Sequence, residues 1–332
     1  MKKLRLLIVL LFVYSFTTLC ATTLSKEQID KVVHEAYIKF KDVDKGKNAD
    51  YIKALAEVDP KIFGITLVDK DGNIYEYGDT KAEVSIQSIS KVFTLALVMS
   101  ERGDAFVADK IGVNATGLPF NSIIAIEQHK GSPSNPFVNA GAIAATSWVK
   151  AKDSKERWMK IMANMNTFAG RELPFNKEVY KSEVNDNKRN QAISKLLDAY
   201  GRMGSDPLEA TTVYTKQCSV NVSSHDLAVM SATIANHGVN PVTKTIVISS
   251  KYTPKIMAVM ATAGLYDNAG LWLYKTGLPA KSGVGGGIIA IAPGAFGIAV
   301  VSPPLDGFGN SVRAQLAIEY IVQKLGLNPY VQ

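Results

Sequence analysis

The chain has 332 residues, 47% of them apolar and 20% charged, so it can bury a large core and does not belong to the disordered class. Its formal charge is +7, and three of the basic residues lie among the first five. The remaining charges are scattered without a long basic run. This distribution excludes the basic stripe expected of a nucleic-acid-binding protein.

The N-terminus has the pattern of a signal peptide. "MKKLR" is a basic start, and "LLIVLLFVYSF" is an apolar stretch too short for a typical membrane span. "TTLCA" then offers small residues for cleavage after Cys20 or Ala21. We therefore predict a signal peptide at 1–21 and a periplasmic or secreted product without stable membrane association; an uncleaved anchor is the alternative.

Cysteine and histidine usage argues against a disulfide framework and a metal site. The cysteines are Cys20 and Cys218, and cleavage of the signal peptide leaves Cys218 without an intramolecular partner. The four histidines show no ligand spacing and have no cysteine cluster beside them. The sequence therefore predicts neither a disulfide scaffold nor a zinc site.

The predicted elements begin with an amphipathic helix over 25–40, which Ser25 and Gln28 start with a capping box. A β-hairpin over 61–79 follows, turning at Asp71-Gly72. A helix is predicted from Ser88 to about Arg102, and the pattern from about 105 to 265 is mostly helical. A second hairpin turns at Pro293-Gly294, and a final amphipathic helix covers 311–326.

This order predicts an α+β fold. Strands from the N- and C-terminal segments can pair into one antiparallel sheet flanked by helices, with a helical subdomain inserted between them. The predicted sheet part covers about 22–87 and 275–332, and the helical part covers about 88–274, all within one domain over 22–332. The start of the helix at Ser88 then lies at the seam of the two parts, where clefts form.

Ser88 and Lys91, in "QSISKVF", form a Ser-x-x-Lys pair on one face of the predicted helix. A serine at a helix start has an unpaired backbone amide and the positive dipole end nearby. Lys91 can act as a base for Ser88 if burial lowers its pKa, and the apolar flanks predict such burial. The alternative is a helix cap followed by an exposed lysine.

A second motif lies in "LPAKSGVGGGI". Lys281-Ser282-Gly283 resembles the Lys-[Ser/Thr]-Gly element on the sheet edge of serine β-lactamases and penicillin-binding proteins. It follows Ser-x-x-Lys at a long distance and precedes a β-type run, so the two motifs together predict a β-lactamase/transpeptidase-like fold. The middle motif of those proteins, Ser-x-Asn or Tyr-x-Asn, has no clear counterpart, and a glycine-rich hairpin without a ligand is the alternative.

The chain resembles the serine-dependent glutaminase family, of bacterial type, which shares that fold. The matching stretches occur in family order over roughly 50–290 and are "ADYIKALA", "SIQSISKVF", "NPFVNAGAI", "VYKSEVNDNKRNQAI", "YTKQCSV", "TAGLYDNAG" and "GLPAKSGVGGGI". The resemblance implies hydrolysis of L-glutamine to L-glutamate and ammonia without a metal or organic cofactor. It also implies a homodimer or homotetramer.

The resemblance further implies roles for individual residues. Ser88 is the acylated nucleophile and Lys91 its base. Of Tyr214 and Tyr266, one can bond the substrate carboxylate and the other can relay a proton to leaving ammonia; Tyr266 is preferred as the relay and Tyr214 is the alternative. The Val284 amide joins that of Ser88 at the substrate carbonyl. The residues implied to surround the substrate are Tyr51, Ser88, Asn139, Glu183, Asn190, Tyr214, Tyr266 and Val284.

The chemistry of these residues suits a free amino acid. Glu183 can pair with an α-ammonium, and Asn139 and Asn190 can bond to either charged group. Each residue also has a plainer interpretation. Glu183 can be a solvated carboxylate, and Asn139 and Asn190 can serve in turns or helix caps. Tyr214 can be a core tyrosine.

The predicted export differs from the usual location of this family's members, which are commonly cytoplasmic or mitochondrial. It favours an alternative that uses the same Ser-Lys pair, a periplasmic penicillin-binding protein or serine β-lactamase. A binding protein without catalysis is a second alternative, although such a protein has no need of both Ser88 and Lys91. Cys218 has no neighbouring histidine in sequence and is not predicted to be a nucleophile.

Overall fold

The computed structural model describes residues 24–331, so the signal peptide predicted for 1–21 lies outside the described residues. The strands are β1 Gly64–Asp69, β2 Ile74–Gly78, β3 Val84–Ser85, β4 Asn221–Val222, β5 Ala280–Gly283, β6 Gly287–Ala292 and β7 Phe296–Val301. The helices are α1 Lys26–Phe40, α2 Lys53–Ala56, α3 Ser90–Arg102, α4 Asp104–Lys110, α5 Ile124–Gln128, α6 Asn139–Trp148, α7 Ser154–Ala169, α8 Lys177–Asn185, α9 Lys188–Ala199, α10 Pro207–Cys218, α11 Ser224–Ala235, α12 Thr253–Ala263, α13 Ala269–Thr276 and α14 Val312–Leu325. Two 3₁₀ turns cover Gln87–Ile89 and Tyr266–Asn268.

The main sheet joins the two ends of the chain, as the sequence predicts. Its five antiparallel strands have the order β2-β1-β7-β6-β5, and β1 pairs with β7 so that Gly64 faces Val301. Both predicted hairpins are present, one between β1 and β2 and one between β6 and β7. The predicted α+β architecture is therefore confirmed. The edge strand β5 carries Lys281, Ser282 and Gly283.

Helices cover both faces of this sheet, which explains why β1, β6 and β7 are buried along their whole length. α1 and α14 pack together on one face, and α1 begins with the predicted capping box of Ser25 and Gln28. α11 packs on the other face, against β1, β6 and β7. Two apolar cores result, one on each side of the sheet.

The body of the helical part consists of α3, α6, α7, α9 and α10, which pack against one another, whereas α13 packs against α14. The predicted helical range, 88–274, also contains α11, which belongs by its packing to the sheet. The division of the chain into sheet and helical parts otherwise stays a prediction. Among residues 24–331, no helix combines the length and the apolar character needed to cross a bilayer.

Candidate active site

A cavity of about 420 Å³ lies at the seam between the helical part and the edge of the sheet. It brings together side chains from distant parts of the sequence. All the substrate-contacting residues predicted from the resemblance line it. The full lining is Tyr51, Ile52, Gln87, Ser88, Phe120, Asn121, Asn139, Ser182, Glu183, Asp186, Asn187, Arg189, Asn190, Tyr214, Cys218, Tyr266 and Val284.

Ser88 lies on a sharp turn between a strand and a helix. The prediction that α-helix begins at Ser88 is wrong in detail, because Gln87–Ile89 forms a 3₁₀ turn and α3 starts at Ser90. Gln87, just before the serine, has a left-handed backbone with φ of 49°. Such a backbone is unfavourable for glutamine and persists only where neighbours enforce it, which is a recurrent feature of functional sites.

Lys91 is fully buried beneath the cavity. Its Nζ donates to Asn139 Oδ1 at 2.8 Å and to the Phe137 carbonyl at 3.2 Å. Burial lowers the pKa of Lys91 to about 8, which populates the neutral amine that a base requires. Within residues 24–331, the hydrogen bonds of Lys91 do not include one to Ser88. Bonds between catalytic groups often tighten only when substrate is bound.

Asn139 connects Lys91 to the cavity wall. Its Oδ1 accepts from Lys91 and, at 3.1 Å, from the Tyr214 hydroxyl, while its Nδ2 donates to Asn190 Oδ1 at 3.0 Å. Because every polar atom of this amide has a partner, its orientation is fixed. The two predicted asparagines and Tyr214 therefore form one network with the buried lysine.

Glu183, from α8, places its carboxylate at the cavity. Gln87 Nε2 donates to its Oε1 at 2.7 Å, and no lysine or arginine forms an ion pair with it anywhere in the described range. Burial raises the pKa of Glu183 to about 7, against a smaller lowering by the Gln87 hydrogen bond. Such a group is stabilised when a cation enters the cavity beside it.

Tyr266 and Val284 lie across the cavity near Ser88. Tyr266 has a left-handed backbone, with φ of 53°, and its hydroxyl donates to the Ser282 carbonyl at 3.4 Å. Burial raises the pKa of Tyr266, and a hydrogen bond with Ser88 acts in the opposite direction. The backbone amides of Ser88 and Val284 have no acceptor within the described part of the chain. Two free amides at one cavity suit a developing oxyanion.

Two predictions concern residues at the margins of the site. Tyr51 is exposed and lines the cavity mouth. Cys218 is buried, and burial raises the pKa of its thiol to about 12, so the thiolate is suppressed. This agrees with the prediction that Cys218 is not a nucleophile.

Sequence reasoning missed several cavity residues. Gln87 donates a hydrogen bond to Glu183, and its position directly before Ser88 is the feature of the sequence that could have indicated its place in the cavity. Phe120 packs against Tyr266 with the rings tilted and their centroids 4.8 Å apart, but it comes from a loop without a distinctive pattern. Arg189 lines the mouth and donates to the Asn121 carbonyl at 2.8 Å. In the part of the chain that is described, no group of three His, Cys, Asp or Glu side chains is placed to hold a metal ion.

Comparison with known proteins decides the family. The model of the family described as Glutaminase matches residues 46–330. A glutaminase of Colwellia psychrerythraea (strain 34H / ATCC BAA-681) is 52% identical over 300 residues, which cover 90% of this chain and 96% of that protein. This chain belongs to the glutaminase family.

Solved structures of glutaminases share the fold. A structure described as "Probable glutaminase ybaS" is 44% identical, with a TM-score of 0.92, and the match covers 93% of this chain and all of that one. A Bacillus glutaminase is 28% identical with a TM-score of 0.84, covering 91% and 99% of the two chains. The predicted β-lactamase-like glutaminase fold is therefore confirmed. The roles of individual residues in this glutaminase-family chain stay predictions.

Proposed function

We propose that this protein hydrolyses the side-chain amide of L-glutamine to L-glutamate and ammonia, with Ser88 as the nucleophile and Lys91 as its base. Membership of the glutaminase family supports the reaction. The single structural observation that carries the mechanism is the burial of Lys91 at the cavity that Ser88 lines, since that burial supplies a neutral amine.

The first half of the reaction forms an ester. Ser88 Oγ attacks the carboxamide carbon while Lys91 Nζ accepts the hydroxyl proton. The free amides of Ser88 and Val284 stabilise the oxyanion. Tyr266 passes a proton to the leaving nitrogen and recovers one from the Lys91 ammonium, the carbon–nitrogen bond breaks, and ammonia departs. In the second half, water attacks the γ-glutamyl ester and gives a proton to the neutral Lys91. Lys91 returns that proton to Ser88 Oγ as the ester bond breaks, which releases glutamate and restores the Ser88 hydroxyl.

Recognition of the substrate uses the opposite end of the cavity. Glu183, which has no ion-pair partner among residues 24–331, pairs with the α-ammonium of glutamine. The α-carboxylate and the remaining hydrogen bonds of the ammonium are left to Asn190, Tyr214 and Tyr51. A free amino acid carries both charges at one carbon, so this arrangement favours glutamine over the same amide within a peptide chain.

The decisive experiment measures ammonia release from glutamine and asparagine by the purified protein. We expect wild type to hydrolyse glutamine, and Ser88→Ala and Lys91→Ala to be nearly inactive while retaining the native circular dichroism spectrum. Thr262→Ala is a matched control, because Thr262 lies on the outer part of α12 and does not line the cavity. Full activity in Ser88→Ala contradicts the proposal.

A β-lactam assay separates the alternative. If the protein is a penicillin-binding protein, penicillin labels Ser88 covalently, and if it is a serine β-lactamase, it hydrolyses nitrocefin. In both cases it releases no ammonia from glutamine. The comparisons do not favour this alternative, since the relatives that match over most of the chain are glutaminases.

We also infer that the protein is exported and self-associates. Export rests on the signal-peptide pattern of residues 1–21. Assembly into a homodimer or homotetramer rests on the resemblance to the family.

A further inference from the structure

Arg313 is a buried cation that the proposed reaction leaves without a task. It lies in the first turn of α14 and is only 4% exposed. The charges of Asp79 and Asp59 act on it, but within residues 24–331 neither carboxylate forms an ion pair with it. A buried cation without an ion pair is costly to a fold, so the presence of Arg313 requires an explanation.

The hydrogen bonds of Arg313 converge on the segment 41–62, which connects α1 to β1 and which we call the strap. The guanidinium donates to four backbone carbonyls of the strap, those of Lys41 at 3.3 Å, Lys61 at 3.4 Å, Ile62 at 3.1 Å and Pro60. Its Nε donates to Ser302 Oγ at 2.8 Å. Since residues 41 and 60–62 are the two ends of the strap, one side chain fastens both ends to α14.

The middle of the strap reaches the mouth of the active-site cavity. Tyr51 and Ile52, both from the strap, line that cavity. Tyr51 is 58% exposed, so the packing of its own side chain does little to fix its position. Its place at the mouth therefore depends on the path of the strap backbone.

Close packing does not hold the base of the strap. A second cavity, of about 670 Å³, has strap residues on one side and Pro304 and Arg313 on the other. Atoms that face open space lose the contacts which fix position in a packed core. Discrete hydrogen bonds must therefore set the direction in which the strap leaves α1 and enters β1.

The other contacts of the strap lie nearer its middle. Lys47 and Leu305 exchange backbone hydrogen bonds of 3.0 and 2.9 Å, and Ala49 and Leu55 are buried in a small apolar cluster. These contacts leave the two ends of the strap to Arg313.

We propose that Arg313 is a positioning residue that fixes the strap and thereby holds Tyr51 at the cavity mouth. This inference rests on the proposed function, in which Tyr51 contacts glutamine, and deepens it. Arginine suits the task because its planar guanidinium has five N–H donors in a fixed fork, and four carbonyls and one hydroxyl surround it. A lysine amine, with three donors at one point, cannot replace that pattern.

The first test is Arg313→Lys, which keeps the charge and loses the fork. We expect KM for glutamine to rise ~3–10-fold while kcat changes less than ~3-fold, because Ser88 and Lys91 lie outside the strap. Arg157→Lys is the matched control. Arg157 is also a cation of 4% exposure, and it lines neither cavity, so its kinetic constants should remain those of wild type. Unchanged KM in a folded Arg313→Lys protein overturns the inference.

A double-mutant cycle with Tyr51→Ala tests whether Arg313 acts through Tyr51. If it does, Arg313→Lys raises KM far less in the Tyr51→Ala background than in wild type. An equal rise in both backgrounds overturns the inference. If Arg313→Lys does not fold, Ser302→Ala, which removes one acceptor and keeps the arginine, enters the same cycle.

Hydrogen exchange measured by mass spectrometry gives a readout independent of activity. We expect peptides covering 45–58 to exchange ~10-fold faster in Arg313→Lys, or in Ser302→Ala if that variant replaces it, while peptides from α6 keep their wild-type protection. Unchanged exchange in the strap overturns the inference even if glutamine is not the substrate. Conversely, loss of activity in Ser88→Ala and Lys91→Ala upholds the proposed function whatever Arg313 does.

Discussion

Three ionisable side chains at the cavity have environments that displace their pKa values in useful directions. Burial lowers the pKa of Lys91 to about 8, raises that of Glu183 to about 7, and raises that of Tyr266. Lys91 is thereby partly neutral near physiological pH, while the Tyr266 phenol keeps its proton. Perturbed groups that share a cavity are typical of catalytic sites.

The pH dependence of kcat/KM follows from these directions. Lys91 accepts a proton only when neutral, which requires a pH above its pKa, and Glu183 pairs with the ammonium only when ionised, which also requires a higher pH. We therefore expect kcat/KM for glutamine to fall on the acid side with apparent pKa values between about 7 and 8. Initial rates from pH 5 to 9 measure this, and a profile flat from pH 5 to 8 contradicts it.

Gln87 should stabilise the ionised form of the Glu183 carboxyl. Its hydrogen bond lowers the pKa of that carboxyl, so Gln87→Ala should shift the acid limb of kcat/KM to higher pH and raise KM for glutamine. Loss of a hydrogen bond to a charged group corresponds to roughly a tenfold effect. Gln315→Ala is the control, because Gln315 donates to Asp306 at 2.9 Å outside the cavity lining. Equal kinetics for both variants would show that Gln87 has no such role.

At the scale of elements, the 3₁₀ turn that carries Ser88 lies against the edge of the sheet, and α11 covers one face of that sheet. The 3₁₀ turn Gln87–Ile89 contacts β5, which brings Ser88 to Val284. α11 lies between the sheet and the helical part, and of its twelve residues only His225 is not buried. A helix that is buried all round must be packed on several sides.

Close packing of α11 on β7 depends on Gly297. A Cβ at this position would overlap backbone atoms of Ala228 and Ala232 in α11. Gly297→Ala should therefore lower the free energy of unfolding by about 1–3 kcal/mol, the usual cost of overpacking. Gly307→Ala is the control, since a Cβ there meets only open space. Denaturant melts compare the two, and equal stability would contradict the packing argument.

At the scale of the whole molecule, the cavity exists only because the chain ends meet. β1 from the N-terminal segment pairs with β7 from the C-terminal segment, and β5, at the edge of the same sheet, contacts the 3₁₀ turn that carries Ser88. Residues from 51 to 284 thereby line one site. Activity should consequently depend on the complete domain.

Export is testable by expression of the full chain in a Gram-negative host. We expect the mature protein in the periplasmic fraction, with an N-terminus at residue 21 or 22, because the apolar stretch and small residues fit signal peptidase cleavage. A chain lacking residues 2–21 should stay in the cytoplasm. Recovery of uncleaved protein from the membrane fraction would instead support an anchor.

Assembly is testable on the mature protein by size-exclusion chromatography with light scattering. The full chain has a mass of 35.9 kDa, so a dimer or tetramer is readily distinguished from a monomer. We expect a homodimer or homotetramer, and a monomer at all concentrations would contradict this.

The sequence by itself determined the helix α1 with its cap, both hairpins, the α+β fold, and the family, because these depend on local periodicity, turn chemistry and linear motifs. It also predicted Ser88 and Lys91 as a pair. Only the tertiary structure decided the bonding of Lys91 to Asn139, the role of Gln87 beside Glu183, and the bonding of Arg313 to both ends of the strap. These features depend on burial and on contacts between residues far apart in the chain. The left-handed backbone of Gln87 and Tyr266 likewise has no local sequence signal, because neighbouring parts of the fold impose it.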